Sequence, residues 1–143
     1  MNQKFRAWHK TWEEMGKVKR IRFDDDGNAN NVLFKGKEFG VNAKINEFEL
    51  MQSTGLKDKN SKEIFEGDIV TDGEFARIVQ YHQTLGFYMF DEEGNERFFS
   101  DSATLEDFEE DAKIVSEILE IIGNIYENPE YDQNFVGFRI KGE

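Results

Sequence analysis

The chain has two histidines, the side chains best suited to acid–base chemistry near neutral pH. His9 and His82 fall in two predicted strands that are far apart in the sequence. A catalytic pair would require both imidazoles in one pocket, together with some of the many carboxylates. Half-buried histidines that simply pack within strands are commoner, so the sequence favours a structural role for both. An enzyme built on them is the third of three functional hypotheses.

Two polar segments have the composition of ion-binding loops but the wrong spacing. The run that begins at Asp24 resembles a calcium loop, yet its sixth position is Ala29 instead of glycine and its twelfth is Lys35 instead of glutamate. Gly16-Lys17 and Gly36-Lys37 lack the upstream glycine of a phosphate-binding loop. The absence of cysteine excludes thiolate metal sites and cysteine nucleophiles. We therefore expect no catalytic residues, no metal site and no cofactor.

Basic and aromatic residues are interleaved near the N-terminus, in Phe5-Arg6-Ala7-Trp8 and in Arg20-Ile21-Arg22-Phe23. Such a pattern suits a surface that stacks bases and contacts phosphates. The net charge of −12, however, repels a polyanion at long range. The favoured interpretation has the apolar residues in a core and the cations facing water. The candidate interaction surface comprises Arg6, Trp8, Lys19, Arg20 and Arg22.

The charge is unevenly distributed along the chain. Met1 to Phe23 has seven Lys/Arg against two Glu, whereas Asp91 to Asp111 has ten acids against Arg97 alone. The two segments could pair within the fold or between subunits that stack head to tail. A solvated acidic surface is the simpler interpretation of the acidic segment.

The N-terminal third has the alternation of short strands. Lys4 to His9 and Val18 to Phe23 predict a hairpin around a charged turn, and Val32 to Phe34 and Glu47 to Gln52 predict two further strands. Asp24 to Asn31 and the polar stretch after Phe34 are predicted to be loops.

The remainder of the chain predicts an ordered loop, a meander, one helix and a final strand. The loop, Thr54 to Gly67, has the apolar anchors Leu56, Ile64 and Phe65. Thr104 with Asp107 has the pattern of a helix N-cap, and a helix of about three turns is expected to follow. Glu117 to Tyr126 is predicted to be a buried strand that ends at Asn128-Pro129. The predicted meander strands are Ile69 to Thr71, Phe75 to His82, Phe87 to Phe90 and Arg97 to Phe99.

These elements predict an α+β fold, mainly β, in which a small antiparallel SH3-like β-barrel is joined by an N-terminal β-hairpin and one helix near the C-terminus. We expect one domain over 1–143, with N-terminal strands in 1–53, the loop and meander in 54–100, and the helix and final strand in 101–143. No segment has the pattern of a signal peptide or of a membrane span, so the expected compartment is the cytoplasm.

Three blocks of the sequence resemble a known family. They are Lys4-Phe5-Arg6-Ala7-Trp8, Leu50 to Val70 and Leu119 to Tyr131, and the middle block is the most specific. The chain resembles the YopX-like proteins, a family of small proteins encoded by bacteriophages and prophages. Ser61 stands where that family more often has glycine, so the turn after Asn60 is expected to differ in backbone geometry.

The resemblance implies a small β-barrel with added elements and brings no assigned catalytic residues. With no assembled catalytic site in the sequence, the favoured function is a non-enzymatic accessory protein of a phage or prophage. It would bind a phage or host protein, or itself as a homo-oligomer. A nucleic-acid-binding module that uses the basic N-terminal hairpin is the alternative, and no membrane partner is expected.

Overall fold

The computed structural model describes residues 4–84, 86–90, 93–98, 105–131 and 138–139, and side chains in all of these except 98, 105–108 and 138–139. The chain divides into two compact units, Met1–Ser53 and Thr54–Glu143. Each unit is described by itself.

Unit 1 is an antiparallel sheet with the strand order β4-β3-β2-β1-β5. The predicted N-terminal hairpin is confirmed, because β1 pairs with β2 from Arg6 opposite Lys17 to His9 opposite Glu14. The last residues of β5 extend past Ser53 into unit 2. The strands are β1 Phe5–His9, β2 Glu14–Phe23, β3 Ala29–Lys35, β4 Gly40–Lys44 and β5 Phe48–Lys57.

The core of unit 1 lies on one face of this sheet. Ala7, Val32, Phe34 and Phe48 are buried there, and Val18 and Leu50 are among the partly buried side chains that pack against them. Alternate residues of each strand point to opposite faces, so one face is apolar and the other receives the polar side chains.

Two loop predictions in unit 1 are wrong. The stretch after Phe34 contains β4 and a short 3₁₀ helix, Ile45–Glu47, because Val41 and Ala43 alternate and pack on the core while β4 pairs with β3. The predicted loop Asp24 to Asn31 is also too long, since β3 already begins at Ala29. Both errors arise where polar residues occupy the outer face of a paired strand.

Unit 2 contains two further antiparallel sheets, with the orders β11-β10-β9 and β12-β7-β8-β13, and a short strand β6 that follows the end of β5. The meander prediction is confirmed in its strands, although β7 and β8 belong to one sheet and β9 to β11 to the other. The strands are β6 Glu63–Phe65, β7 Asp68–Thr71, β8 Phe75–Ile78, β9 Gln80–His82, β10 Gly86–Phe90, β11 Glu96–Phe98, β12 Glu120–Asn124 and β13 Phe138–Arg139.

The predicted strand Phe75 to His82 is interrupted at Val79, where the backbone leaves the ladder. The Val79 N–H donates to the Asp68 carbonyl, and the Val79 carbonyl accepts from Gly67 N–H. This exchange separates β8 from β9. The described strands form open sheets, and the predicted closure into an SH3-like barrel stays a prediction.

One helix, α1 Leu105–Ile118, precedes β12 and is longer than the three predicted turns. The predicted strand Glu117 to Tyr126 is confirmed only over Glu120–Asn124, because the helix takes its first residues and a turn takes its last. The predicted N-cap, Thr104 with Asp107, lies outside the residues whose side chains are described. In the described part of the chain, no helix has the length and apolar character required to cross a membrane.

The core of unit 2 has two clusters. Leu56, Ile64, Val70, Val79 and Leu119 form the larger cluster, which joins the end of β5 and β6 to the meander and to the residue after α1. The predicted loop Thr54 to Gly67 is therefore wrong over residues 54–57 and over Glu63–Phe65, because both segments are paired strands. Ile69, Ala76 and Ile78 form the smaller cluster, against which Ile125 and Tyr131 pack. Leu56 and Ile64 are thus buried anchors as predicted, whereas Phe65 is only half-buried.

Candidate functional site

The outer face of the unit 1 sheet is basic, as its strand register shows. Lys17 lies opposite Lys35, Arg20 opposite Leu33, and Arg22 opposite Asn31, which also lies opposite Lys44 in β4. Directly opposed residues share a face of the sheet. Lys19 is the extra residue of a bulge in β2, and it lines the same surface depression as Lys17, Lys35 and Lys37. We call this surface the basic face: Lys17, Lys19, Arg20, Arg22, Lys35, Lys37 and Lys44.

All seven cations of the basic face are exposed. Within the described residues, none of them has a carboxylate within 4.0 Å. The ion pairs in this part of the chain lie elsewhere, for example Lys10 to Glu49 at 3.3 Å. Opposed like charges destabilise a strand pair, so Lys17 and Lys35 cost stability where they stand. The basic face is therefore a concentration of positive charge that the described fold does not neutralise.

The five residues predicted as an interaction surface fall on the same side of the sheet. Arg6 lies opposite Lys17 and Trp8 opposite Met15, which places both on the face that also displays Arg20 and Arg22. Arg6 and Trp8 are half-buried, and the Arg6 Nε–H donates to Met51 Sδ at 3.4 Å. Lys19, Arg20 and Arg22 are exposed. Their shared placement is a property of the fold, and their role stays a prediction.

Sequence reasoning missed Lys17, Lys35, Lys37 and Lys44 as members of this surface. Lys17 and Lys37 were considered only as parts of Gly-Lys pairs, and each pair fails the phosphate-loop test on its own. The register of β2 and β3 sets Lys17 opposite Lys35, and the turn after β3 brings Gly36-Lys37 to the same depression. A signal was present in the sequence, because Lys17 and Lys19 extend the cluster of basic residues that ends at Arg22.

The support beneath the basic face is tightly packed. A Cβ on Gly16 would overlap the Phe34 ring and the Lys35 carbonyl, and a Cβ on Gly36 would overlap the Glu14 carboxylate. That carboxylate accepts a hydrogen bond from Lys37 N–H at 2.9 Å. Gly16 is therefore required by packing, because its neighbours are a buried ring and a backbone carbonyl. At Gly36 the neighbour is the end of the Glu14 side chain, whose hydrogen bond with Lys37 N–H joins the turn to β2.

The two histidines have separate local roles. His9 is buried in unit 1, where its Nδ1 accepts from Trp12 N–H at 3.1 Å and its ring stacks on Trp12 with centroids 4.3 Å apart. The ring also meets the edge of Phe48. His82 ends β9 in unit 2, where it is exposed and its Nδ1 accepts from Thr84 N–H. Neither histidine is half-buried as expected, because His9 packs fully within unit 1 and His82 lies at the exposed end of its strand.

The acidic loop that begins at Asp24 is a hydrogen-bonded turn. The Asp24 Oδ1 accepts from Asp26 N–H and Asn28 N–H, both at 2.9 Å, and Gly27 provides the left-handed conformation with φ of 84°. Among the described residues, no group of three His, Asp or Glu side chains is placed to hold a metal ion.

Asp58 lies near the centre of the most specific sequence block, and its carboxylate accepts hydrogen bonds from three backbone N–H groups. Its Oδ1 accepts from Asn60 N–H and Lys62 N–H, and its Oδ2 accepts from Ile121 N–H, all at 2.9 Å. Burial alone would raise the pKa of Asp58, but these three donors and the Lys62 charge hold that pKa below its ordinary value. One buried carboxylate thus joins the loop after β5 to the start of β12.

The turn held by Asp58 contains a strained residue. Ser61 has φ of 65°, a left-handed conformation that a residue with a Cβ adopts only at a cost. The sequence predicted a different backbone geometry for this turn because serine replaces glycine here. The structure instead shows Ser61 in the backbone conformation that glycine adopts most readily.

Other polar side chains of unit 2 also hold turns. Asp68 Oδ2 accepts from Phe65 N–H at 2.7 Å, and Asn124 Oδ1 accepts from Tyr126 and Glu127 N–H. The Asn124 turn ends β12 four residues before the predicted stop at Asn128. For Asp72, burial would raise the pKa, but the Phe75 and Glu74 N–H donors and the Arg77 charge lower it.

These features define a mainly antiparallel β protein whose sequence motif builds turns, and whose unneutralised charge lies on a sheet face elsewhere. A family model described as YopX protein matches residues 4–131, and the chain belongs to this family. The match begins in the basic N-terminal hairpin and includes the whole Asp58 block.

One solved structure supports the same fold. The crystal structure of protein EF1440 from Enterococcus faecalis aligns with a TM-score of 0.60 and 27% sequence identity, over 91% of this chain and 97% of that one. A search of curated proteins found no match.

Proposed function

We propose that this protein is a non-enzymatic accessory protein of a phage or prophage that acts in the host cytoplasm by binding an acidic protein surface. The observation that carries the proposal is the basic face, whose seven exposed cations have no carboxylate partner among the described residues. The phage setting and the compartment rest on the family resemblance and on the sequence.

A second copy of the chain is the first partner to consider. The chain has a net charge of −12 although unit 1 displays the basic face, so acidic groups must be concentrated elsewhere. Exposed acids of unit 2 include Glu93, Glu96, Glu109 and Glu110. Contact between the basic face of one copy and acids of another would neutralise both and build a homo-oligomer in a head-to-tail manner.

Sedimentation velocity at low and high salt tests this proposal. We expect oligomers at high micromolar concentration and low salt that dissociate as salt screens the contact. The variant Arg20→Glu/Arg22→Glu should remain monomeric. Lys57→Glu/Lys113→Glu changes the net charge by the same amount outside the basic face and should still assemble.

A monomer under all these conditions would remove the second copy as the partner. Equal loss of assembly in both double variants would show a general effect of net charge. Binding of another acidic protein that is lost only in Arg20→Glu/Arg22→Glu would then support the broader proposal.

Nucleic acid is the second candidate, and one observation favours it. Trp8 lies on the same side of the sheet as Arg6, Arg20 and Arg22, an arrangement suited to stacking a base beside phosphate contacts. Mobility shifts at low salt with single-stranded and double-stranded DNA and RNA test this candidate. Binding that weakens steeply with salt and is lost in Trp8→Ala would support it, and no shift with any of them would remove it.

A further inference from the structure

The geometry points to a specific anion site at one end of the basic face, which takes the phosphate chain of a di- or triphosphate. The site is a surface depression of about 310 Å³, whose lining includes Lys17, Lys19, Lys35 and Lys37. It differs from the proposed protein-binding function, because it accommodates a small ligand and involves four of the seven cations.

The register and a turn bring the four lysines to one depression. Lys17 lies directly opposite Lys35, Lys19 follows in the β2 bulge, and Lys37 lies in the turn between β3 and β4. Two acids lie near the lysine turn: Glu14, whose Oε2 accepts from Lys37 N–H, and Glu38, which follows Lys37 in the turn. Neither has an ammonium group of the four lysines within 4.0 Å. The described residues therefore leave the charge of the depression without a counter-ion.

The backbone that carries the lysines is well supported. Phe34 is fully buried below it, Gly16 is enclosed by the Phe34 ring and the Lys35 carbonyl, and Lys37 N–H donates to Glu14 Oε2. The opposed pair Lys17 and Lys35 loses stability in the free protein and recovers it when an anion lies between the two ammonium groups. This recovery makes binding selective for a ligand with charge in that position.

The lining indicates the chemical class of the ligand. Met15 is the only lining residue with an uncharged apolar side chain, and the aliphatic stems of the four lysines provide the other side-chain apolar surface of the depression. The groups that distinguish the site are the four charged ends of those stems. Ammonium groups act as compact point charges toward phosphate oxygens. Four of them match a ligand with several adjacent negative charges, and the volume lies at the lower end of small-molecule sites.

Calorimetric titration with inorganic tripolyphosphate tests the inference, with a nucleoside triphosphate in a second arm. We expect saturable binding with one ligand per chain and an affinity at least about tenfold higher than for sulfate at equal ionic strength. Equal affinity in both arms would assign recognition to the phosphate chain alone. Tighter binding of the nucleoside triphosphate would show that the nucleoside also contributes to the affinity.

The decisive comparison is between two double variants with the same loss of charge. Lys35→Ala/Lys37→Ala removes two of the four cations that line the depression and should weaken tripolyphosphate binding by at least about tenfold. Arg22→Ala/Lys44→Ala removes two cations of the basic face outside the depression and should change the affinity by less than about twofold. Circular dichroism of both variants controls for folding.

Absence of saturable binding, or equal weakening in the two double variants, would overturn the inference. Neither result bears on self-assembly, which is tested through Arg20 and Arg22. Amide chemical shifts offer a second measurement that does not depend on the variants. Titration should shift the Gly16 and Gly36 resonances first, and shifts spread over the whole basic face would contradict a localised site.

Discussion

The two units use their charged side chains in opposite ways. In unit 2 the carboxylates of Asp58, Asp68 and Asp72 accept backbone hydrogen bonds and hold turns. In unit 1 the cations of the basic face form no ion pair with any carboxylate of the described residues. The most specific part of the family motif is therefore architectural. A functional surface is better sought where charge is left unneutralised than where the sequence is most distinctive.

The two units can be followed separately in solution. Both tryptophans lie in unit 1, and all four tyrosines lie in unit 2. Tryptophan fluorescence thus reports unfolding of unit 1, and near-ultraviolet circular dichroism of tyrosine adds a signal from unit 2.

The largest expected effect is the loss of the Asp58 carboxylate. Asp58→Ala leaves three backbone N–H donors in a buried site without their acceptor, and we expect the free energy of unfolding of unit 2 to fall by about 3 kcal/mol. Urea titration followed by the tyrosine signal measures this. Glu109→Ala, at an exposed acid of the same unit, should change stability by less than about 0.5 kcal/mol. Similar losses in both variants would contradict an architectural role specific to Asp58.

Acid should remove part of the same stabilisation. Because the folded pKa of Asp58 is lowered, the unfolded chain takes up the proton first as the pH falls. The stabilisation is complete above the ordinary carboxyl pKa of about 3.9 and is lost as the pH falls through the folded pKa. The difference in stability between the native protein and Asp58→Asn should therefore shrink below about pH 4. A difference that is independent of pH would assign the effect to shape instead of charge.

A smaller effect of opposite sign is expected at Ser61. Ser61→Gly removes the Cβ from a residue with φ of 65° and should stabilise unit 2 by about 0.5–1 kcal/mol, after the added flexibility of the unfolded chain is taken into account. The urea midpoint followed by the tyrosine signal should rise. Asn60→Gly, at the neighbouring turn position without positive φ, should lower it. A lower midpoint for Ser61→Gly would mean that the serine side chain stabilises the turn.

The smallest effect is expected on the basic face. Lys35→Thr relieves the like-charge pair with Lys17 and should stabilise unit 1 by about 0.5 kcal/mol at low salt, less at high salt. Tryptophan fluorescence in urea measures the change. Lys44→Thr removes a lysine that lies opposite the neutral Asn31, so it should give no such gain. A loss of stability in Lys35→Thr would show that the lysine packs usefully, and would weaken the view that its charge is kept for a ligand.

Much of the fold could be predicted from local sequence pattern. The β1–β2 hairpin, the meander strands and the helix were predicted because alternation, tight turns and helical spacing are encoded by neighbouring residues. Strand β4 was missed because its outward residues, Asn42 and Lys44, resemble a loop, and only pairing with β3 shows which side chains are buried. The Asn124 turn was missed because nothing in the neighbouring sequence shows that the Asn124 side chain will accept hydrogen bonds from two backbone N–H groups.

The sequence by itself determined the composition of the protein: a mainly β chain, strongly acidic, with basic residues concentrated at the N-terminus and no cysteine. Only the tertiary structure decided which of these residues act together. Gly16-Lys17 and Gly36-Lys37 are far apart along the chain, and neither pair by itself matches a phosphate-binding motif. The antiparallel register of β2 and β3 sets Lys17 opposite Lys35, and the turn after β3 brings Lys37 to the same depression. Strand pairing thus places residues that are distant in the sequence one strand apart. For the same reason Asp58 meets Ile121 only when the loop after β5 lies beside β12.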